Sequence, residues 1–300
     1  MRIIPNIAMT RTHSVCATMI AFGSVIGMSG CSNTASEVAP RPKILVTYSV
    51  LASIVSDLVG DAAEVKLLIP DGQDPHDFQP SAKDIESINN ADIVISNGLD
   101  FEEGLLEALA VAESAGVAQF RVGNSIKQRV VEGEHVVADP HLWLSPNNFI
   151  QAMPELTSAI NSATGLAIDP SAELSSLTRV DDDVAKIIGG IDSCVLVTGH
   201  DELGYFAEHY NCKVLGAIIP GLSSTSESSA RLLANVESLA RENNVKAIFT
   251  GLGTPQNITD QLASQLGVKA VSLSTHYLNG AGSYREFMIN LANQIADALR

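Results

Sequence analysis

Basic residues are scarce. The 300-residue chain carries 18 Lys and Arg against 34 Asp and Glu, a net charge of −16. Phosphate backbones need a basic face, so this balance argues against a nucleic-acid partner. Beyond the first thirty residues no apolar run approaches bilayer-spanning length. There is no nucleophile elbow, no Walker loop, no dinucleotide fingerprint and no HExxH helix, and Gly251-Leu252-Gly253 is too bare to count as a phosphate cradle. Short-period repeats are also missing. A disordered chain is excluded by 46% hydrophobic and only 17% charged residues. The length leaves material for about two domains. An acidic balance suits a soluble protein outside the cytoplasm, or one whose ligand is a cation, although net charge speaks mainly to solubility and association.

The first thirty residues differ from the rest. Arg2 and Arg11 supply a positive start, and Val15 to Met28 (VCATMIAFGSVIGM) is apolar and uncharged. Such a run has the length of a signal-peptide core and is short for a membrane span. It ends in Met28-Ser29-Gly30-Cys31, which resembles a lipoprotein lipobox, with Met28 where Leu is usual. In lipoproteins that Cys is diacylated and becomes the first residue, so residues 1–30 read as a lipoprotein signal peptide and Cys31 as the lipidation site. An ordinary secretory signal that happens to contain a Cys is the alternative. Met9 is a second possible start. Cleavage leaves 16 basic against 34 acidic residues, a net −18. Residues 31–42 are small, polar and Pro-containing, and read as a flexible tether. Cys194 and Cys212 remain, each at the start of a predicted strand with one helix between. In an oxidising compartment they are either a disulfide or two buried thiols.

From residue 43 onward, short apolar runs alternate with amphipathic segments. Strands are predicted at 44–48, 65–69, 93–96 and 117–122, with helices at 51–59, 81–90 and 102–114 between them. Ser81 is the expected N-cap of the second helix, with Asp84 three residues on. Ser145-Pro146 opens a further helix, which Pro154 should kink. Asp169-Pro170 opens another, running to about residue 188 and ending at Gly189-Gly190; its narrow apolar stripe suits a helix lying between domains. The pattern then restarts, with strands at 194–197, 213–218, 247–250 and 270–273 and helices at 202–209, 226–242, 255–266 and 284–299. Alternation of this kind implies α/β architecture with open parallel sheets and helices on both faces. The expected organisation is an N-terminal α/β domain (43–168), a connecting helix (169–190) and a C-terminal α/β domain (191–300).

Of seven histidines, His13 lies in the leader, His135 in a polar loop and His209 on a solvated helix face. The other four share an address. His200 and His276 each follow a predicted strand after two residues, His76 follows KLLIP through a short loop, and His141 lies in the loop ending the first half. Ligands of open parallel sheets bind outside the carboxyl ends of the strands, so facing domains would bring two histidines from each half into one cleft. Asp74-Pro75-His76 and Asp139-Pro140-His141 repeat one tripeptide. Proline stiffens the loop, and each Asp is a candidate acceptor for a ring N–H. Four neutral imidazoles suit a divalent metal such as zinc.

These residues carry a family resemblance. Gly72-Gln73-Asp74-Pro75-His76 with Gln79-Pro80-Ser81 and the Ala91-Asp92 to Asn97-Gly98 stretch, then Asp139-Pro140-His141-Leu142-Trp143-Leu144-Ser145-Pro146-Asn147-Asn148, then His200-Asp201-Glu202-Leu203-Gly204-Tyr205-Phe206, resemble the zinc/manganese solute-binding lipoproteins of ABC transporters (cluster A-I metal receptors) over nearly the whole chain. The resemblance implies His76, His141 and His200 as ligands, and His200 points to the zinc-type branch. The fourth family ligand is an acid after Thr, where Thr275-His276 stands here. Either His276 replaces the acid, giving an all-nitrogen site that disfavours manganese, or water or another group fills in; we take the replacement as the working assignment. The His-rich loop of many zinc members is missing, so a second, weak zinc site is not expected. The acid common in the family after the third C-domain strand is replaced by Gly251-Leu252-Gly253.

The resemblance thus implies a receptor, not an enzyme. It would capture Zn2+, with Mn2+ or iron as alternatives, in the cell envelope outside the cytoplasmic membrane. It would act as a lipid-anchored monomer and deliver the metal to an ABC permease with its ATPase. A connecting helix would keep closure small. A zinc hydrolase with three histidines, an open position and Asp201 or Glu202 as base is one other reading. A surface adhesin is another, since some relatives carry that label.

Overall fold

The computed structural model describes residues 40–131 and 136–300. The leader with Cys31, most of the tether and His135 lie outside the described residues.

Strand β1 (Lys43–Val46) leads into α1 (Ser49–Val59), β2 (Glu64–Leu67), α2 (Ala82–Asn89), β3 (Ile93–Ser96), α3 (Leu106–Ser114) and β4 (Ala118–Arg121). These four strands form one parallel sheet in the order β2-β1-β3-β4. The runs KILV and IVIS are buried on both faces, as a sheet covered by helices on two sides demands. Period-2 alternation splits them. Ile44, Val46, Ile93 and Ile95 enter one core with α1, while Leu45 and Val94 enter a second core with Ile88 of α2 and Leu109 of α3. Helix α2 starts where expected: Ser81 and Asp84 form a reciprocal capping box. An antiparallel pair, β5 (Val130–Val131) and β6 (Val137–Ala138), was not legible in the alternation.

Helix α4 (Pro146–Thr164) runs on through Pro154. It begins at Pro146, but the Ser145 side chain makes no cap bond; Pro at the first helical position removes the N–H that would otherwise be orphaned. In α5 (Ser171–Ile188), Asp169 Oδ1 accepts from the Ser171 N–H and hydroxyl. The stripe Leu177, Val180, Val184 and Ile188 is buried, and α5 packs against α4, α1 and the final helix.

Strand β7 (Val195–Thr198), α6 (Gly204–His209), β8 (Lys213–Ala217), α7 (Ala230–Glu242), β9 (Ala247–Thr250), α8 (Gln256–Leu266), β10 (Lys269–Ser272) and α9 (Tyr284–Leu299) complete the chain. Strands β7 and β8 pair in parallel, as do β9 and β10, and β7 lies beside β9. Helix α7 starts four residues later than the apolar pattern suggested, because the Ser229 hydroxyl accepts the Leu232 N–H and sets the first turn there. Leu196, Ala247 and Phe249 share the first core with α5 and α9, while Val197 and Ile248 face α7 and α8. Cys194 and Cys212 are disulfide-bonded, 18 residues apart, just ahead of β7 and β8. Closing a loop of that length restricts the unfolded chain by about 3 kcal/mol.

One surface contact ties α6 to α5 in a pH-dependent way. His209 Nε2 lies 2.7 Å from Asp181 Oδ1, which also accepts from the Tyr210 hydroxyl at 2.8 Å. The Asp181 hydrogen bond holds His209 above its usual 6.5. Burial pushes Asp181 up, but the bonds from His209 and Tyr210 outweigh it and leave the carboxyl below 3.8. The raised His209 contributes stability fully below pH 6.5, lost as pH rises through its folded value. The lowered Asp181 contributes above pH 3.8, lost as pH falls through its own. His209→Gln should therefore lower the melting temperature most between pH 4 and 6.5, the gap closing at higher pH. A gap constant from pH 5 to 9 would show that the ion pair contributes nothing.

Candidate metal centre

Four loops at the carboxyl ends of strands carry the four histidines inward. His76 follows β2, His141 precedes the turn Leu142–Leu144, His200 is two residues beyond β7, and His276 four beyond β10. The repeated Asp-Pro-His tripeptide has a local cause. Asp74 Oδ1 accepts the His76 backbone N–H at 3.1 Å, and Asp139 Oδ1 accepts that of His141 at 2.9 Å. Each is an Asx turn, with proline stiffening the residue between. The His141 loop is further held by Asn97, whose amide donates to the Pro140 carbonyl at 2.8 Å, while the Tyr48 hydroxyl donates to Asn97 Oδ1.

The structure brings His76, His141, His200 and His276 together. All four are buried, and one ring nitrogen from each lies within 4.8 Å of every other. His141 Nε2 and His200 Nε2 are 3.1 Å apart. A tetrahedron with metal–nitrogen bonds of 2.0–2.1 Å has edges of about 3.3 Å, so this pair already has the spacing and the widest pair must draw in. His76 Nδ1 and Nε2, His200 Nδ1 and His276 Nε2 are buried and have no hydrogen-bond partner. Orphaned buried nitrogens are costly, and a shared cation is the group that would satisfy several at once.

Carboxylates stand behind the rings. Asp139 Oδ1 accepts from His141 Nδ1 at 2.8 Å, which leaves Nε2 as the free donor atom. Asp139 Oδ2 accepts from Arg129 at 2.9 Å, and Gly204 leaves room for this pair: a Cβ there would collide with both groups. Asp74 does not serve the ring of His76. It takes the backbone N–H and, through Oδ2, the Ser224 hydroxyl at 2.6 Å; the carboxylate nearest that ring is Glu103, 3.5 Å from Nδ1. The roles of four participants escaped the sequence reading. Glu103 and Ser224 gave no signal there. Glu202, considered only as a hydrolase base, lies fully buried, accepts the Thr275 hydroxyl, and has Oε2 3.6 Å from His276 Nδ1. Trp143, known only as part of a motif, donates its indole N–H to the Thr275 carbonyl at 2.6 Å.

Burial lowers the basicity of all four rings. It drives His141, His200 and His276 well below 6.5, reinforced by the neighbouring rings, and it lowers His76 despite opposing pulls from Asp74 and Glu103. The rings are thus neutral and ligand-competent at neutral pH. Burial also raises Asp139 to about 6, against the His141 and Arg129 hydrogen bonds, so it is ionised at neutral pH. It pushes Glu202 up to about 8, with the Thr275 bond acting the other way; a dication in the cavity would pull in the same sense as that bond. Four nitrogens, no thiolate and carboxylates only behind the rings make a donor set suited to Zn2+ and poorly matched to Mn2+.

The family model described as ZnuA, zinc-uptake complex component A, periplasmic, matches residues 44–298. The high-affinity zinc uptake system protein ZnuA of Bacillus subtilis (strain 168) is 28% identical over 288 residues, covering 87% of this chain and 86% of that protein. The iron-binding protein YfeA of Yersinia pestis is 23% identical, covering 94% and 93%. Among solved structures, the periplasmic zinc-binding protein TroA from Treponema pallidum superposes with a TM-score of 0.77 at 22% identity, covering 86% of this chain and 99% of that one, which supports the same fold.

Proposed function

This chain belongs to the zinc-uptake complex component A family, and on that premise we propose that it is an extracytoplasmic receptor that captures a divalent transition metal, Zn2+ before Mn2+, and delivers it to the permease of an ABC importer. The observation that carries the choice of metal is the cluster of four buried, neutral imidazoles. Relatives named for zinc and for iron both match the chain, so the cargo is argued from the donor set and not from the names. His76, His141, His200 and His276 are the ligands. Asp139 orients His141, and the halves 43–168 and 191–300 each present two rings, with 169–190 between them. Four protein donors leave no open position for a reacting water, which disfavours the hydrolase reading. No described helix is long and apolar enough to cross a membrane. We assign attachment to Cys31 and take the receptor as a monomer; Cys31→Ala should move it from the membrane to the soluble fraction.

Competitive titration of the chelator-stripped mature chain tests the proposal. One tightly held zinc per chain, not displaced by excess manganese, is the expected result. Manganese displacing zinc would overturn the metal assignment, and failure to hold any divalent metal would overturn the receptor.

A further inference from the structure

Glu202 is a buried carboxyl without a matching cation. It is 1% exposed, and among the described residues no Lys or Arg pairs with it. Isolated buried carboxylates are costly unless something compensates them. Its surroundings come from three strand ends. Glu202 follows β7, Thr275 and His276 follow β10, and Gly251 follows β9. The Thr275 hydroxyl donates to Glu202 Oε2 and lies 2.9 Å from His276 Nδ1. A hydroxyl that gives its proton to a carboxylate has only lone pairs left for the ring, so His276 must bring the hydrogen on Nδ1. Its Nε2 is then the unprotonated nitrogen, and this is the atom left buried and partnerless among the other rings.

The space for this arrangement is reserved. A Cβ on Gly251 would sit 2.8 Å from both Glu202 Oε2 and Thr275 Oγ1. The backbone of Thr275 is pinned from the other side by the Trp143 indole.

We propose that Glu202 is the positioning residue of His276: acting through Thr275, it fixes the ring and presents His276 Nε2 to the metal. The inference rests on the receptor reading above.

A double-mutant cycle tests it. Zinc affinity is measured by competition with a chromophoric chelator for the mature chain, Glu202→Gln, His276→Ala and the double variant, and the visible absorption of bound Co2+ is recorded for each. Glu202→Gln should weaken zinc by 10- to 100-fold, the range for residues that orient a ligand, and should shift the Co2+ bands. In the His276→Ala background the same change should have little further effect, since both act as one unit. Unchanged affinity and spectrum in Glu202→Gln, with tight binding by the parent chain, would overturn this proposal alone. An equal loss in both backgrounds would also overturn it, because a general structural role does not run through His276. No zinc binding by the parent chain would bring down both readings. If Glu202→Gln does not fold by circular dichroism, the nearly isosteric Thr275→Val takes its place in the cycle with the same outcomes.

Discussion

His141→Ala should lower zinc affinity by more than a hundredfold, exceeding the 10- to 100-fold typical of residues that only support a ligand. Three observations set the size. His141 Nε2 is 3.1 Å from His200 Nε2, the pair already closest to metal-bound spacing. Its tautomer is prepared by Asp139, so the binding atom needs no rearrangement. Its loss would also strand Asp139, fully buried, with Arg129 as its one remaining side-chain partner. Chelator competition on the purified variant is the measurement, with His209→Gln as the control that leaves affinity unchanged. Affinity within tenfold of the parent would remove His141 from the ligand set.

Trp143→Ala should be the most destabilising single change in the core. The side chain is fully buried and packs its ring 4.5 Å from Phe101, 5.1 Å from Tyr48, 5.4 Å from His141 and 5.7 Å from His276, centroid to centroid. Truncating such a residue costs about 3–5 kcal/mol, which for a chain of this size is a drop of roughly 10 °C in melting temperature. The same substitution orphans the Thr275 carbonyl and releases the loop carrying His276. Zinc should therefore raise the melting temperature of the variant by less than it raises that of the parent, since the gain scales with affinity. Thermal melts with and without zinc check both parts. A loss of stability with an undiminished zinc increment would confine Trp143 to packing.

The tripeptide Asp-Pro-His was visible twice in the sequence, and its cause is local: an Asx turn needs only residues two apart. The strand–helix alternation was visible for a similar reason, because buried parallel strands are short apolar runs and their crossover helices are amphipathic. Boundaries were less legible. Five serines crowd residues 223–229, and only the fold decides that Ser229 is the one that caps α7. Asp74 and Asp139 looked equivalent in sequence, yet only Asp139 reaches its neighbour's ring, while the second oxygen of Asp74 takes the Ser224 hydroxyl from 150 residues away.

By itself the sequence determined which side chains are available and how they are presented: four histidines on loops after strands, two of them on stiffened turns, in a chain with no competing thiolate cluster. These are properties of neighbours along the chain, and periodicity and turn chemistry report on neighbours. Only the tertiary structure decided that the four rings meet in one buried cluster, that Trp143 anchors the loop of His276, and that Glu202 fills the space that Gly251 leaves open. Those contacts join residues 49 to 200 positions apart, and they follow from how the strands of both halves pack with α4, α5 and α9, a packing outcome that no local pattern encodes.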